Sequence, residues 1–176
     1  MNFTIHTPRL MLRPLQPEDA PALHSIANQP HILKWMPDWA LSPAKTKRLI
    51  EAMAAHYRAA TKDDAWVLFA VLLQGALIGV VGIGNKKEVD NEIEIAYFIS
   101  ADHAGRGYIT EAAKAAARWA LDSLQLEYLI AIVEIDNDPS QRIVEKCGFQ
   151  KLETRRILNA GETEEKPFYY YRLYRA

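Results

Sequence analysis

The sequence predicts an α+β domain, one mixed sheet with helices on its faces, and three observations carry that expectation. Hydrophobic residues make up 49% and charged residues 24% of 176, the balance of an ordinary globular chain. Three apolar, β-rich runs follow one another between residues 66 and 99. After them, helical and strand patterns alternate twice, which favours a sheet covered by helices over a regular doubly wound array. A chain of this length fits a single domain spanning 1–176, and no internal repeat, low-complexity tract or linker divides it.

The elements read in order as follows. Phe3 to Leu15 alternates imperfectly and is expected as a first strand. Pro17-Glu18-Asp19 opens a helical segment to about Ala27, and a loop holding Trp35, Met36, Pro37 and Trp39 follows. Ser42-Pro43 starts the next helix, because serine caps and proline tolerates the first helical position. Trp66–Leu73 and Leu77–Ile83 flank Gln74-Gly75-Ala76 as a hairpin, and Glu92–Ile99 is a further strand after a charged turn. A helix is expected from Gly107 to about Leu124, a strand from Tyr128 to Glu134, and a short helix from Pro139 to Cys147. Gly148 suits the left-handed residue that closes that short helix. Gln150–Leu158 and Pro167–Tyr174 close the chain as a strand pair around the turn Asn159-Ala160-Gly161-Glu162.

Charge and composition exclude several classes. Twenty-one basic and twenty-two acidic residues leave a formal charge of −1, which argues against nucleic acid as the main partner. Cys147 is the sole cysteine and has no disulfide partner within the chain. His6, His24, His31, His56 and His103 show no metal-ligand spacing, so no metal is expected. Met1 to His6 lacks the basic and apolar regions of a leader, and no apolar run reaches the ~20 residues of a membrane span. A cytoplasmic location without membrane contact is the expectation.

The most informative stretch is His103-Ala104-Gly105-Arg106-Gly107-Tyr108-Ile109-Thr110-Glu111-Ala112, between a strand and a helix. A helix N-terminus leaves main-chain N–H groups unpaired and carries about half a positive charge, which suits an anion. Gly105 and Gly107 remove the Cβ atoms that would hold a phosphate away, and Arg106 adds a cation. The alanine-rich helix behind it lets its axis sit close to the sheet. A glycine-rich turn before a helix is common, and neither a nucleotide P-loop nor a dinucleotide site is completed here.

The chain resembles the GNAT superfamily of N-acetyltransferases, in the branch of bacterial ribosomal-protein N-terminal acetyltransferases. Three blocks carry the resemblance: Thr7-Pro8-Arg9-Leu10-Met11-Leu12-Arg13-Pro14-Leu15 with Glu18-Asp19-Ala20; Glu94-Ile95-Ala96-Tyr97-Phe98-Ile99 with Gly105-Arg106-Gly107-Tyr108 and Thr110-Glu111-Ala112; and Asn137, Ser140, Val144, Glu145-Lys146, Gly148-Phe149. The resemblance implies a GNAT fold: a mixed, mostly antiparallel sheet of six to seven strands splayed near its middle, with about four helices. It also implies acetyl-CoA as co-substrate. The pantetheine arm would pair with the backbone of Tyr97, Phe98 and Ile99, and the pyrophosphate would rest on Ala104, Gly105, Arg106, Gly107, Tyr108 and Ile109. This chain departs from the pattern at Ala104, often larger in the family, and at Ile109, often small, where the side chain would restrict the approach of the pyrophosphate.

Amine attack on a thioester needs a neutral amine and a proton for the departing thiolate. An α-amine of pKa ~7.7–8.0 is partly neutral near pH 7.4, whereas a lysine amine of pKa ~10.4 is almost wholly protonated. Glu94 and Glu92 share one face of a strand and are the candidate bases, Glu94 foremost; both also fit as solvated carboxylates. Glu111 in the first helical turn reads as structural. Asp138 as cap, with Pro139 and Gln141 after it, makes a capping signature. The resemblance implies Ser140 as the acid that protonates the thiolate, since Val144 stands where many relatives carry an acidic tyrosine. Asn137 is expected to bond the pantetheine arm, cap the helix, or both. Cys147 reads as a buried structural thiol. The aromatic loop at residues 35–39 suits acceptor binding or core packing, and so does one of Tyr169, Tyr170 and Tyr171.

The expected function is direct transfer of acetyl to a primary amine, on a protein N-terminus or a small molecule, by a monomer or homodimer. The alternative is a domain that binds or senses acyl-CoA without turnover.

Overall fold

The computed structural model describes residues 3–176, so the Met1–Asn2 part of the leader reading lies outside the described residues. Among the described residues the strands are β1 (Ile5–His6), β2 (Met11–Pro14), β3 (Trp66–Leu73), β4 (Ala76–Lys86), β5 (Glu92–Ile99), β6 (Tyr128–Glu134), β7 (Gln150–Ile157) and β8 (Lys166–Tyr174). The α-helices are α1 (Ala20–Ala27), α2 (Pro30–Leu33), α3 (Pro43–His56), α4 (Tyr108–Ser123) and α5 (Asp138–Lys146). None of these helices is long and apolar enough to cross a membrane.

All eight strands form one sheet in the order β1-β2-β3-β4-β5-β6-β8-β7. The count exceeds the expected six to seven strands and about four helices for local reasons. The expected first strand is two, because residues 7–10 make a tight turn in which Thr7 N–H donates to Leu10 C=O at 3.0 Å and Thr7 Oγ1 accepts from Leu10 N–H at 3.0 Å. Pro30 starts a four-residue helical turn, α2, before the aromatic loop.

Every neighbouring pair is antiparallel except β5 and β6, which run parallel and meet at a single register pair, Glu94 opposite Ile130. Beyond that point the strands separate, as the resemblance implies for Tyr97 to Ile99. The sheet is thus two half-sheets, β1–β5 and β6–β8–β7, joined at one bridge.

Helix α4 holds this seam. Its Ala112, Ala113, Ala116, Ala117 and Ala120 are at most 1% exposed, and the helix packs on β4, β5 and β6. Small side chains bring the helix axis close to the sheet, so its first turn is fixed relative to the end of β5. A second, smaller apolar cluster, Val89, Ile130, Ile157, Phe168 and Tyr170, lies over the β6–β8–β7 half.

Candidate active site

The separated strands open into a cleft of about 1160 Å³, with the start of α4 at one end and a ring of charged side chains at the other. At the α4 end, Gly105 and Gly107 adopt φ of 75° and 77°, a left-handed region that glycine enters without steric cost. Gly107 serves as the N-cap of α4. Glu111 N–H is the first in the helix to find a main-chain acceptor, Gly107 C=O at 3.0 Å, while Ala104 N–H is taken by Ala101 C=O at 3.3 Å. Between them, no group among the described residues accepts from the N–H of residues 105–110. A Cβ added to Gly105 would meet nothing within 4 Å. The result is an exposed run of donors at a positive helix end, suited to a diphosphate.

A clamp from the other end of the chain fixes this run. Arg9 donates through Nε to Glu111 Oε2 at 2.7 Å and through Nη1 to Arg106 C=O at 2.9 Å, and its guanidinium lies 4.5 Å from the centre of the Tyr108 ring. Glu111 also accepts from Thr7 Oγ1 at 2.7 Å and Arg9 N–H at 3.0 Å. Burial works against the Glu111 anion, but the bonds from Thr7 and Arg9 outweigh it and lower its pKa. Glu111 is structural, as expected. Ile109 is 7% exposed within the main core, so its branched side chain packs inward.

On β5, Ser100 N–H donates to Ile78 C=O of the β4 side at 2.8 Å. Strand alternation therefore turns the N–H and C=O of Tyr97 and Ile99 toward the gap. His31 Nε2 lies 2.9 Å from Ile99 C=O, and Gln29 accepts from Ala101 N–H at 2.9 Å, tying the α1–α2 segment to the end of β5. The main chain of Phe98 faces Val80 of β4, so contrary to expectation it is not offered to the gap; its side chain, 6% exposed, lines the cleft with Trp39 edge-on at 4.9 Å between ring centres.

Across the gap, Asn137 rather than Asp138 caps α5: its Oδ1 accepts from Ser140 N–H at 3.3 Å. The expected cap is displaced by one residue because Asp138 already has helical geometry and Pro139 follows within the first turn. Ser140 lines the cleft, and its Oγ stands 2.9 Å from the Tyr97 hydroxyl. Val144 is 1% exposed in the core.

At the far end, burial pushes the Glu94 carboxyl up to about 7; Lys86 partly offsets this, while Glu88, Glu134 and Asp38 reinforce it. No donor among the described residues hydrogen-bonds to Glu94. Glu92, two residues before it, is fully engaged by Tyr128 at 2.7 Å, Tyr170 at 2.7 Å and Arg172 at 3.1 Å, which ties it into the β6–β8 half as a structural anion. The neighbourhood of Glu94 is itself held together by Lys86 Nζ donating to Asn159 Oδ1 at 2.9 Å and Ala160 N–H donating to Glu88 at 3.1 Å. Burial and the nearby Glu162 also raise Glu134.

The structure therefore brings Glu94, Tyr97, Phe98, Ile99, Ala104, Gly105, Ile109, Asn137 and Ser140 to one cleft, whereas Arg106, Gly107 and Tyr108, at the start of α4, do not line it. Trp35, Met36, Pro37 and Trp39 of the aromatic loop line the cleft, while Tyr169, Tyr170 and Tyr171 do not. Cys147 is buried, its thiol pushed up to about 11 by desolvation and bonded to Thr110 C=O at 3.6 Å, a structural role. No cluster of three or more His, Cys, Asp or Glu placed to hold a metal occurs among the described residues. Sequence reasoning missed the Thr7–Arg9 clamp, although both residues sit in the opening block; it also missed His31, Asp38, Lys86 and Glu134, which no local pattern marks.

The model of the acetyltransferase (GNAT) domain matches residues 9–150. YdaF of Bacillus subtilis (strain 168), provisionally named a ribosomal N-acetyltransferase, is 28% identical over 142 residues, 80% of this chain and 77% of its own. Spermidine N(1)-acetyltransferase of Escherichia coli (strain K12) is 28% identical over 138 residues, 78% and 71% of the two chains. Mycobacterium smegmatis RimJ, solved in complex with CoA-disulfide, superposes with a TM-score of 0.78 over 94% of this chain and 81% of that one; at 22% identity this is a likeness of fold.

Proposed function

The chain belongs to the GNAT acetyltransferase family and is an acyltransferase, and from that premise we propose that it moves acetyl from acetyl-CoA directly to a primary amine within one ternary complex. The acceptor is the α-amine of a protein N-terminus or a small amine. One observation carries the reading: the cleft that is lined by Gly105 and Ile109, from the run of unpartnered main-chain donors at 105–110, is lined also by the half-buried Glu94. The donors suit a diphosphate, and the gap-facing N–H and C=O groups at Tyr97 and Ile99 suit an arm with amide groups. Ala104 to Ile109, with Tyr97 and Ile99, would hold acetyl-CoA, which supplies the activated thioester.

Glu94 takes the proton of the attacking amine, directly or through water. A carboxyl titrating near 7 is an effective base at neutral pH, since catalytic efficiency peaks when the pKa lies near the working pH. Asp38 and Glu134 at the cleft draw a cationic acceptor toward it, while Glu88 and Glu162 are paired with Lys86 and Lys166. Ser140, held by its cap bond and by Tyr97, supplies the thiolate's proton. Asn137 holds α5 in place through Oδ1. The remaining parts of the proposal are a cytoplasmic protein, monomeric or homodimeric, with no metal and no nucleic-acid or membrane partner.

The test is release of free CoA thiol on adding spermidine or a peptide with a free N-terminus, beside melting curves with and without acetyl-CoA. Acetyl-CoA at 100 times its Kd should stabilise the fold by about 2.7 kcal/mol, and thiol release should require the amine. Stabilisation without thiol release across a broad amine panel would identify the non-catalytic alternative.

A further inference from the structure

We propose that Tyr97 is the proton reservoir behind Ser140: the departing thiolate is protonated through a two-hydroxyl relay that crosses the gap between the half-sheets. This rests on the acetyl-transfer reading above. Tyr97 projects from β5, just past the single Glu94–Ile130 bridge, and its hydroxyl meets the first turn of α5. It has two oxygen neighbours there, Ser140 Oγ at 2.9 Å and Ser140 C=O at 3.2 Å.

A phenol has one proton for these two acceptors. When the proton goes to the carbonyl, Ser140 must donate its own hydrogen to the phenol oxygen, and the serine is closed. When the proton goes to Oγ, the serine hydrogen is free to point into the cleft. The second arrangement alone lets Ser140 act as an acid, so Tyr97 decides when the serine is competent. The pair also resolves a chemical difficulty. An aliphatic hydroxyl is a far weaker acid than a phenol, and Ser140 alone would be left as an alkoxide. With Val144 buried on α5, the phenol comes instead from the opposite strand.

The balance is simple. The C–S bond breaks and the thiolate takes the Ser140 proton while Ser140 Oγ takes the Tyr97 proton. The acceptor nitrogen forms its bond to the acetyl carbon and loses one proton to Glu94. Solvent then carries that proton from Glu94 and returns one to Tyr97. Burial raises the phenol pKa, which keeps the proton on Tyr97 at rest but also disfavours the phenolate and narrows the phenol's advantage over serine, so the return of a proton from solvent follows at once.

The experiment is a proton inventory: kcat of the wild type in H2O–D2O mixtures, with acetyl-CoA and spermidine or a free-N-terminus peptide, beside Tyr97→Phe and Ser140→Ala. The wild type should give a curved, two-proton dependence. Tyr97→Phe should lower kcat by about 10- to 100-fold, leave the KM for acetyl-CoA within about 3-fold, and reduce the dependence to a straight line. The double variant should be no slower than the poorer single one, as for two residues acting as a unit. A linear wild-type inventory overturns the relay, and so does Tyr97→Phe with kcat intact or with the curvature retained. If Glu94→Gln abolishes turnover while both hydroxyl variants are silent, acetyl transfer stands and the relay falls. If the wild type frees no thiol with any amine, the underlying reading fails and takes the relay with it.

Discussion

At the α4 end of the cleft the polar groups are main-chain amides, whereas at the Glu94 end they are side chains drawn from separate stretches, Asp38, Glu88, Glu94, Glu134 and Glu162 with Lys86 and Lys166 among them. The first end needs a backbone shape, fixed by two glycines and a clamp. The second needs a field, produced by carboxylates that range from half-buried Glu94, Glu134 and Glu162 to exposed Asp38 and Glu88. On the proposed reading, a shape built from amides would recognise what every acetyl-CoA shares, while a field built from side chains is free to differ between acceptors. The two ends should therefore fail differently when altered.

The largest effect is expected at Glu94. Glu94→Gln should lower kcat/KM by about 100-fold while leaving acetyl-CoA affinity unchanged, and should abolish a rise in kcat/KM with pH centred near 7 in the free enzyme. Kinetics between pH 5.5 and ~9 would check it, and an equal loss of cofactor affinity would break the division between the ends. The same carboxyl has a stability signature. Its folded pKa lies above the usual value of 4.5, so the native state holds the extra proton, and its stabilising contribution, full in acid, is lost as pH rises to about 7. Thermal melts of wild type and Glu94→Gln should diverge across that window, with the variant gaining relative stability at the upper end.

Gly107→Ala comes next. Its φ of 77° is strained for any side chain, and the added Cβ would stand 3.4 Å from Arg9 Nη2. The expected cost is about 1–2 kcal/mol of stability, with acetyl-CoA binding weakened roughly 10-fold, a modest 1.4 kcal/mol, and the Glu94-linked pH profile unmoved. Calorimetric titration reads the affinity. Arg9→Ala should act on the same end more gently. Loss of the bonds to Glu111 and Arg106 should lower stability by about 1 kcal/mol and raise the KM for acetyl-CoA a few-fold at constant kcat. The smallest effect is expected at Asp38: Asp38→Asn removes a like charge, so the Glu94 midpoint should fall by about a few tenths of a unit, visible as a slightly earlier rise in the pH profile at low salt.

The same contrast governs what the sequence discloses. Gly105, Gly107, Ser42-Pro43 and the alanine face of α4 are legible because each answers to a local rule of backbone geometry or periodicity. The splay between β5 and β6 is legible only through the family resemblance, since a parallel neighbour supplied from residues 128–134 leaves no mark on residues 92–99. The split at Thr7–Leu10 was hidden because a four-residue turn does not interrupt the apolar alternation enough to be seen. The cap of α5 was off by one because Asn137 and Asp138 are both good caps and only main-chain geometry chooses between them. Glu92 and Glu94 are equivalent on paper. Their environments part them: two tyrosines and an arginine surround one, and among the described residues no hydrogen-bond donor reaches the other. Lys86, Asp38 and Glu134 converge on Glu94 from distant segments, a pattern with no period to detect.

The lone bridge between Glu94 and Ile130 also has a mechanical meaning. A continuous sheet transmits load through every rung, but this one carries it on a single rung and on side chains: the bonds from Tyr128, Tyr170 and Arg172 to Glu92, the Tyr97–Ser140 contact and the struts at Asn159 and Ala160. A strand-like guest laid along the open edge would add the missing rungs and turn two plates into one. Amide exchange in β6 and β8 should then slow when acetyl-CoA enters, although the guest touches mainly the other plate.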